Sequence, residues 1–111
     1  VKIDRPYLEH IADSISAIER YVTAGRDVYL RERMIQDAVT RNFKVIGEAA
    51  THLSTVTVSA AGEPWGRIIA FRNRLIHGYW STDHLLVWDV ISHDLPLPRQ
   101  EVARLLADSP G

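Results

Sequence analysis

The chain contains no cysteine. Disulfides and thiolate metal sites are therefore excluded, and a reducing compartment fits. It has almost no lysine: of thirteen basic residues only Lys2 and Lys44 are lysines, and eleven are arginines. Arginine is the better fork for phosphate, although a genomic codon bias would produce the same skew. No apolar run approaches the length of a membrane span, and no signal-peptide pattern opens the chain. A cytoplasmic protein without a membrane partner is the expectation. Net charge is −1 over 111 residues, so overall charge gives no argument for nucleic acid. The apolar fraction of 46% is enough for one packed core. A single domain over 1–111 is expected, with a flexible tail at 108–111.

The apolar residues fall at helical spacing. Leu8, Ile11, Ile15, Ile18 and Val22 form one stripe of a first helix from Asp4 to about Thr23, capped by Asp4 or Arg5 and ended by Gly25. Met34, Ile35, Ala38, Val39, Val45, Ile46, Ala49 and Leu53 mark a second, long helix from about Asp27 to Leu53. Gly47 inside it costs about 1 kcal/mol against alanine, which suggests that another backbone comes close there. Residues 54 to 63 are small and polar and read as a loop. A third helix starts at Pro64 and Trp65 and buries Trp65, Ile68, Ile69, Leu75 and Ile76. A fourth follows a Ser81 or Thr82 cap and runs to about His93. It is apolar nearly all round, so one of its sides suits a subunit interface. Leu95-Pro96-Leu97-Pro98 breaks it, and a short helix from Pro98 to Ala107 follows. The expected fold is an all-α, up-and-down bundle of four main helices plus a short fifth.

The chemistry concentrates in "FRNRLIHGYW", residues 71 to 80. Asn73 and His77 are four apart and share a helix face. Arg72 and His77, five apart, diverge by about 140° on an ideal helix, a gap that a long arginine can bridge. Both are expected at the polar end of the helix, where truncation opens no cavity. Gly78 can end the helix and free Tyr79. A histidine exchanges protons near neutrality, an arginine stabilises a phosphoryl transition state, and Asn73 can orient the imidazole. Cleavage of RNA through its own 2′-hydroxyl needs these parts and no metal. A two-fold dimer would bring two histidines and two arginines to one cleft. From the chemistry alone, a solvated helix face ending in a histidine explains the same residues more simply.

Arg72-Asn73-Arg74-Leu75-Ile76-His77-Gly78-Tyr79 resembles the Arg-x-x-x-x-His-x-Tyr motif of the HepT-like branch of the HEPN superfamily. "RNFKVIGEAATHLS" (41 to 54), "PWGRIIAFRNRLIHGYW" (64 to 80) and "LLVWDVISHDLP" (85 to 96) are similar to its helix signatures. The resemblance implies a HEPN bundle that dimerises, and a metal-independent endoribonuclease toxin, without cofactor, with Arg72 and His77 catalytic. It also implies a cognate antitoxin, the minimal nucleotidyltransferase MntA, which silences the toxin by transferring AMP to Tyr79. Two further roles stay open: a non-catalytic RNA- or nucleotide-binding module, and a docking subunit for the nucleotidyltransferase.

Among the remaining polar residues, Arg74, Arg67, Arg41 and Lys44 are candidate RNA contacts, with a solvated face as the default for each. His84 and His93 point to opposite sides of a helix and do not form a metal site. His52 reads as a polar edge residue near the cleft, and His10 as solvent-facing. Trp65 and Trp88 read as core anchors, and Trp80 as an interface residue in preference to an RNA contact.

Overall fold

A computed structural model describes residues 4–55, 57, 63–77 and 83–107. Among the described residues the chain is helical without strands. The elements are α1 (Arg5–Tyr21), α2 (Arg26–Arg31), α3 (Arg33–Thr51), α4 (Glu63–His77), α5 (His84–Asp89, continued by a π-helical turn over Val90–Asp94) and α6 (Pro96–Ala107). α3 is the central element and packs on α1 and on α4. α1 and α3 run antiparallel: Tyr7, near the start of α1, stacks on His52 beyond the end of α3. The all-α bundle expected from the periodicity is what forms.

The apolar stripes meet in one core. Leu8, Ile11, Ile15 and Ile18 of α1 face Val39, Phe43 and Ile46 of α3, and Trp65, Ile68 and Phe71 of α4 close the cluster. Phe43 and Phe71 meet edge to face with centroids 5.0 Å apart, an arrangement favoured by the ring quadrupoles. Each large apolar side chain buried here contributes about 1.5–3 kcal/mol.

Several expectations are corrected. The long second helix is broken at Glu32, whose backbone is extended (φ −100°, ψ 103°). The break turns Tyr29 fully into the core. Gln36 Nε2 then donates to the carbonyls of Tyr29 and Leu30, at 3.0 and 3.1 Å, satisfying the end of α2. Gly25, at φ +97°, supplies the left-handed turn between α1 and α2.

Asp4 occupies the N-cap position of α1, but its carboxylate makes no capping bond. It accepts instead from Ser54 N (2.8 Å), Ser54 Oγ (2.7 Å) and Thr57 Oγ1 (2.5 Å). Asp4 is buried and ties the start of α1 to the segment after α3. Of the loop expected over 54–63, only Ser54, Thr55, Thr57 and Glu63 are described. Thr55 and Thr57 have helical backbone, and Glu63 already begins α4.

The cap of α5 is Asp83, whose Oδ1 accepts from Leu85 N and Leu86 N at 3.0 and 3.3 Å. Ser81 and Thr82, the expected caps, lie outside the described residues. The Leu-Pro-Leu-Pro stretch does not break the chain into a loop. Leu95 N bonds Val90 O, five residues back, at 2.9 Å. This wide turn relieves the clash that Pro96 would otherwise make with the carbonyl four residues earlier, and α6 begins at Pro96. Ile76 is exposed rather than buried, and Leu85 more so. The tail at 108–111 also lies outside the described residues.

Candidate active site

Arg72 is placed by α3. A Cβ added at Gly47 would stand 2.2 Å from Arg72 Cβ and 2.4 Å from its Cγ. The glycine is therefore the floor on which the arginine's stem lies, and what comes close is this side chain rather than the backbone expected from the sequence. Arg72 Nη1 stands 3.6 Å from Glu48 Oε2, and the arginine side chain is only 16% exposed. This corrects the expectation of a solvated polar end: truncating Arg72 would leave a hole against Gly47. Arg72 Nε is buried with no acceptor among the described residues. A buried unpaired donor costs about 1–3 kcal/mol, and such groups call for a functional or structural reason.

Glu48 has a second contact. Its Oε1 stands 3.4 Å from His52 Nε2, and the His52 ring stacks on Tyr7 at 5.0 Å with 14° between planes. Arg72, Glu48, His52 and Tyr7 thus form one chain of contacts across α4, α3 and α1. Glu48 was not anticipated as a site residue. Its i, i+4 relation to His52 is legible in the sequence, whereas its meeting with Arg72 is not. The pair is solvent-accessible on the Glu48 side, so it contributes little stability, and an incoming phosphate can compete for the guanidinium.

His77 is the last residue of α4. Its side chain, together with Gly78, Tyr79 and Trp80, lies outside the described residues. Asn73 and Arg74 are exposed on α4. Arg67 pairs with Asp94 at 3.6 Å. Arg41 and Lys44 lie together in a groove of about 1040 Å³ along α3, which Glu48 and His52 also line. The structure therefore separates the four candidate RNA contacts into a groove pair on α3 and two residues on α4.

The other histidines have local roles. His84 Nδ1 is 3.2 Å from the hydroxyl of Tyr29, whose phenol is pushed well above its ordinary pKa by burial. His93 Nδ1 is 3.1 Å from Asp89 O. Among the described residues no three His, Asp or Glu side chains form a metal-holding group. Trp65 is a fully buried anchor. Trp88 is half-buried and packs on Tyr29 with centroids 5.6 Å apart. His10 is exposed, as expected.

An all-helical bundle with an arginine held against α3, five residues before a histidine that ends its helix, defines the class. The sequence profile described as "Ribonuclease HepT-like" matches residues 11–105. The chain belongs to that HEPN-type family. It is 31% identical over 97 residues to a protein of Thermococcus cleftensis named "Probable ribonuclease HepT", covering 83% of this chain and 86% of that one. It is 29% identical over 108 residues to a "Putative RNase" of Caldanaerobacter subterraneus, covering 96% of both. It is 32% identical over 104 residues to a "Gamma-glutamylcyclotransferase and putative RNase" of Methanocaldococcus jannaschii. That match covers 92% of this chain but spans only about half (47%) of the longer relative. No solved structure matches the chain. Among the described residues no helix is long and apolar enough to cross a membrane.

Proposed function

We propose that the protein is a metal-independent endoribonuclease, the toxin of a HEPN/MNT toxin–antitoxin pair, and that it acts as a homodimer. The observation that carries this is the fixed placement of Arg72 over Gly47, on the helix that ends in His77. A cation held by packing loses little entropy when a phosphate arrives, and it can act on charge that develops in the transition state. His77 takes the proton from the 2′-hydroxyl, and its protonated counterpart across the dimer protonates the leaving 5′-oxygen. The 2′-oxygen bonds to phosphorus as the 5′-oxygen departs, leaving a 2′,3′-cyclic phosphate. Asn73, four residues before His77, is assigned to orient its ring. Arg41, Lys44, Arg67 and Arg74 are the phosphate contacts around this centre.

Control is assigned to Tyr79. A cognate nucleotidyltransferase of the MntA kind would transfer AMP from ATP to the phenolic oxygen, with pyrophosphate leaving. A phenol with an ordinary pKa of about 10 needs that partner to activate it. The product would add a phosphate charge and a large base two residues beyond His77 in the chain, and so block RNA by charge and by volume.

The test is incubation of the purified chain with total RNA, with and without EDTA. Cleavage should persist with EDTA and leave cyclic phosphate ends. Arg72→Lys keeps most of the stem's volume and the charge but loses the planar fork. It should lose turnover, as should His77→Ala, while both retain RNA affinity. Cleavage at wild-type rate in either variant, or complete loss on chelation, would defeat the assignment. Loss of affinity rather than turnover would favour a binding module.

A further inference from the structure

α3 carries two faces with different chemistry. One face buries Val39, Phe43 and Ile46 in the core. The other lines the groove of about 1040 Å³, which runs from Arg33 to His52. That span is roughly 28 Å of helix at the α-helical rise. Tyr7 and His10 of α1 bound the groove at the His52 end, and His84 contributes from α5.

The charges in this groove divide into spent and unspent. Asp37 is matched by Arg33 at 3.8 Å. Glu48 is shared between Arg72 and His52. Arg41 and Lys44, three residues apart on one face, have no ion-pair partner among the described residues. At the end nearest Arg72 stands the Tyr7–His52 ring pair, with His52 still 51% exposed. Two free cations followed by a pair of parallel rings match a strand that offers phosphates on one side and flat bases on the other.

We propose that the α3 groove seats single-stranded RNA leading to Arg72, with Arg41 and Lys44 taking successive phosphates and the Tyr7–His52 pair stacking a base. The proposal rests on the ribonuclease reading and adds the path of the substrate to it. Glu48 is where path and cleavage site join, because it lines the groove and pairs with the catalytic arginine. A second copy of the chain is the less suitable occupant. The buried centres of protein interfaces are depleted in charge, and Arg33, Asp37, Arg41, Lys44 and Glu48 put five charged side chains in this lining. Duplex RNA fits less well, since its bases are stacked away from the ring pair.

The experiment separates binding from cutting. A fluorescent single-stranded oligoribonucleotide with 2′-O-methyl groups lacks the attacking hydroxyl, so its anisotropy reports affinity alone. Arg41→Glu and Lys44→Glu should each weaken binding about tenfold, as expected for a charge-assisted contact. Each should also reduce the salt dependence by about 0.7 in the log–log slope. Tyr7→Leu should weaken binding fivefold or more, given about 1–3 kcal/mol for a stacked base. Arg26→Glu, outside the groove, should change little. A 4-thiouridine oligomer should crosslink to Tyr7 or His52, a readout on the wild-type chain that needs no variant to fold.

Unchanged affinity in both charge reversals, with crosslinks elsewhere, overturns the groove. So does a change in oligomer mass, or loss of nucleotidyltransferase binding, at constant RNA affinity; these outcomes would assign the groove to a protein partner. If the groove variants cut ordinary RNA with unaltered KM, the groove fails and the ribonuclease stands. If wild type binds through the groove but cuts nothing, the ribonuclease reading fails and the groove stands.

Discussion

Gly47→Ala sets two physical effects against each other, and their balance can be worked from the structure. Alanine is the better helix former by about 1 kcal/mol, so propensity alone predicts a more stable protein. The added methyl, however, would lie 2.2 Å from Arg72 Cβ and 2.4 Å from its Cγ. The Cγ can swing about χ1, but the Cβ is fixed to the backbone and moves only if α4 moves. Overpacking a tight contact costs about 1–3 kcal/mol, and an overlap this deep belongs at or above the upper end. The net expectation is destabilisation by about 2 kcal/mol. For a chain of this size that is a fall in Tm of about 8 °C. The displaced Arg72 should also lower RNA cleavage beyond what the lost stability explains. Gly66→Ala is the matched control, since Gly66 lies in α4 and a Cβ added there would meet nothing within 4 Å. It should gain up to about 1 kcal/mol. Urea unfolding and thermal melts of the two variants decide the matter. A Gly47→Ala protein that matches or exceeds wild type would refute the close approach, and with it the account of how Arg72 is placed.

Asp4→Ala should cost about 1–3 kcal/mol, because Ser54 and Thr57 lose a shared buried acceptor; an unchanged urea midpoint would contradict this. Burial raises the Asp4 pKa, but the bonds from Thr57 and Ser54 outweigh it and hold the carboxyl below its ordinary 3.8. Its stabilising contribution is therefore complete above the unfolded pKa and is lost as pH falls through the folded value. Wild type should lose stability below about pH 4, and Asp4→Ala should lose less over the same range. Tyr79→Phe should still cut RNA yet escape its antitoxin. Intact-mass measurement with the nucleotidyltransferase and ATP should show AMP on wild type and none on the variant, and equal modification would place the acceptor elsewhere. Light scattering at micromolar concentration should give a dimer, since Ile76 and Leu85 remain exposed in the single chain. A strict monomer would remove the second histidine from the proposed mechanism.

Periodicity determined the helices by itself, because burial on one face writes a 3.6-residue spacing into the chain. The stripe of Ile11, Ile15 and Ile18 and a helix beginning close to Pro64 were legible for that reason. The motif around Arg72 was legible as a string of residue types. Breaks and caps were not. Glu32 carries no breaker signal, and the break between α2 and α3 goes together with the burial of Tyr29 and the bonds from Gln36 to the freed carbonyls. Asp4 looked like a helix cap, but its hydrogen-bond donors lie about fifty residues away at Ser54 and Thr57. The sequence showed that Gly47 had a steric reason and that Arg72 was a candidate cation. Only the packing of α4 on α3 revealed that these are one fact, since a missing Cβ on one helix makes the room that an arginine on another fills.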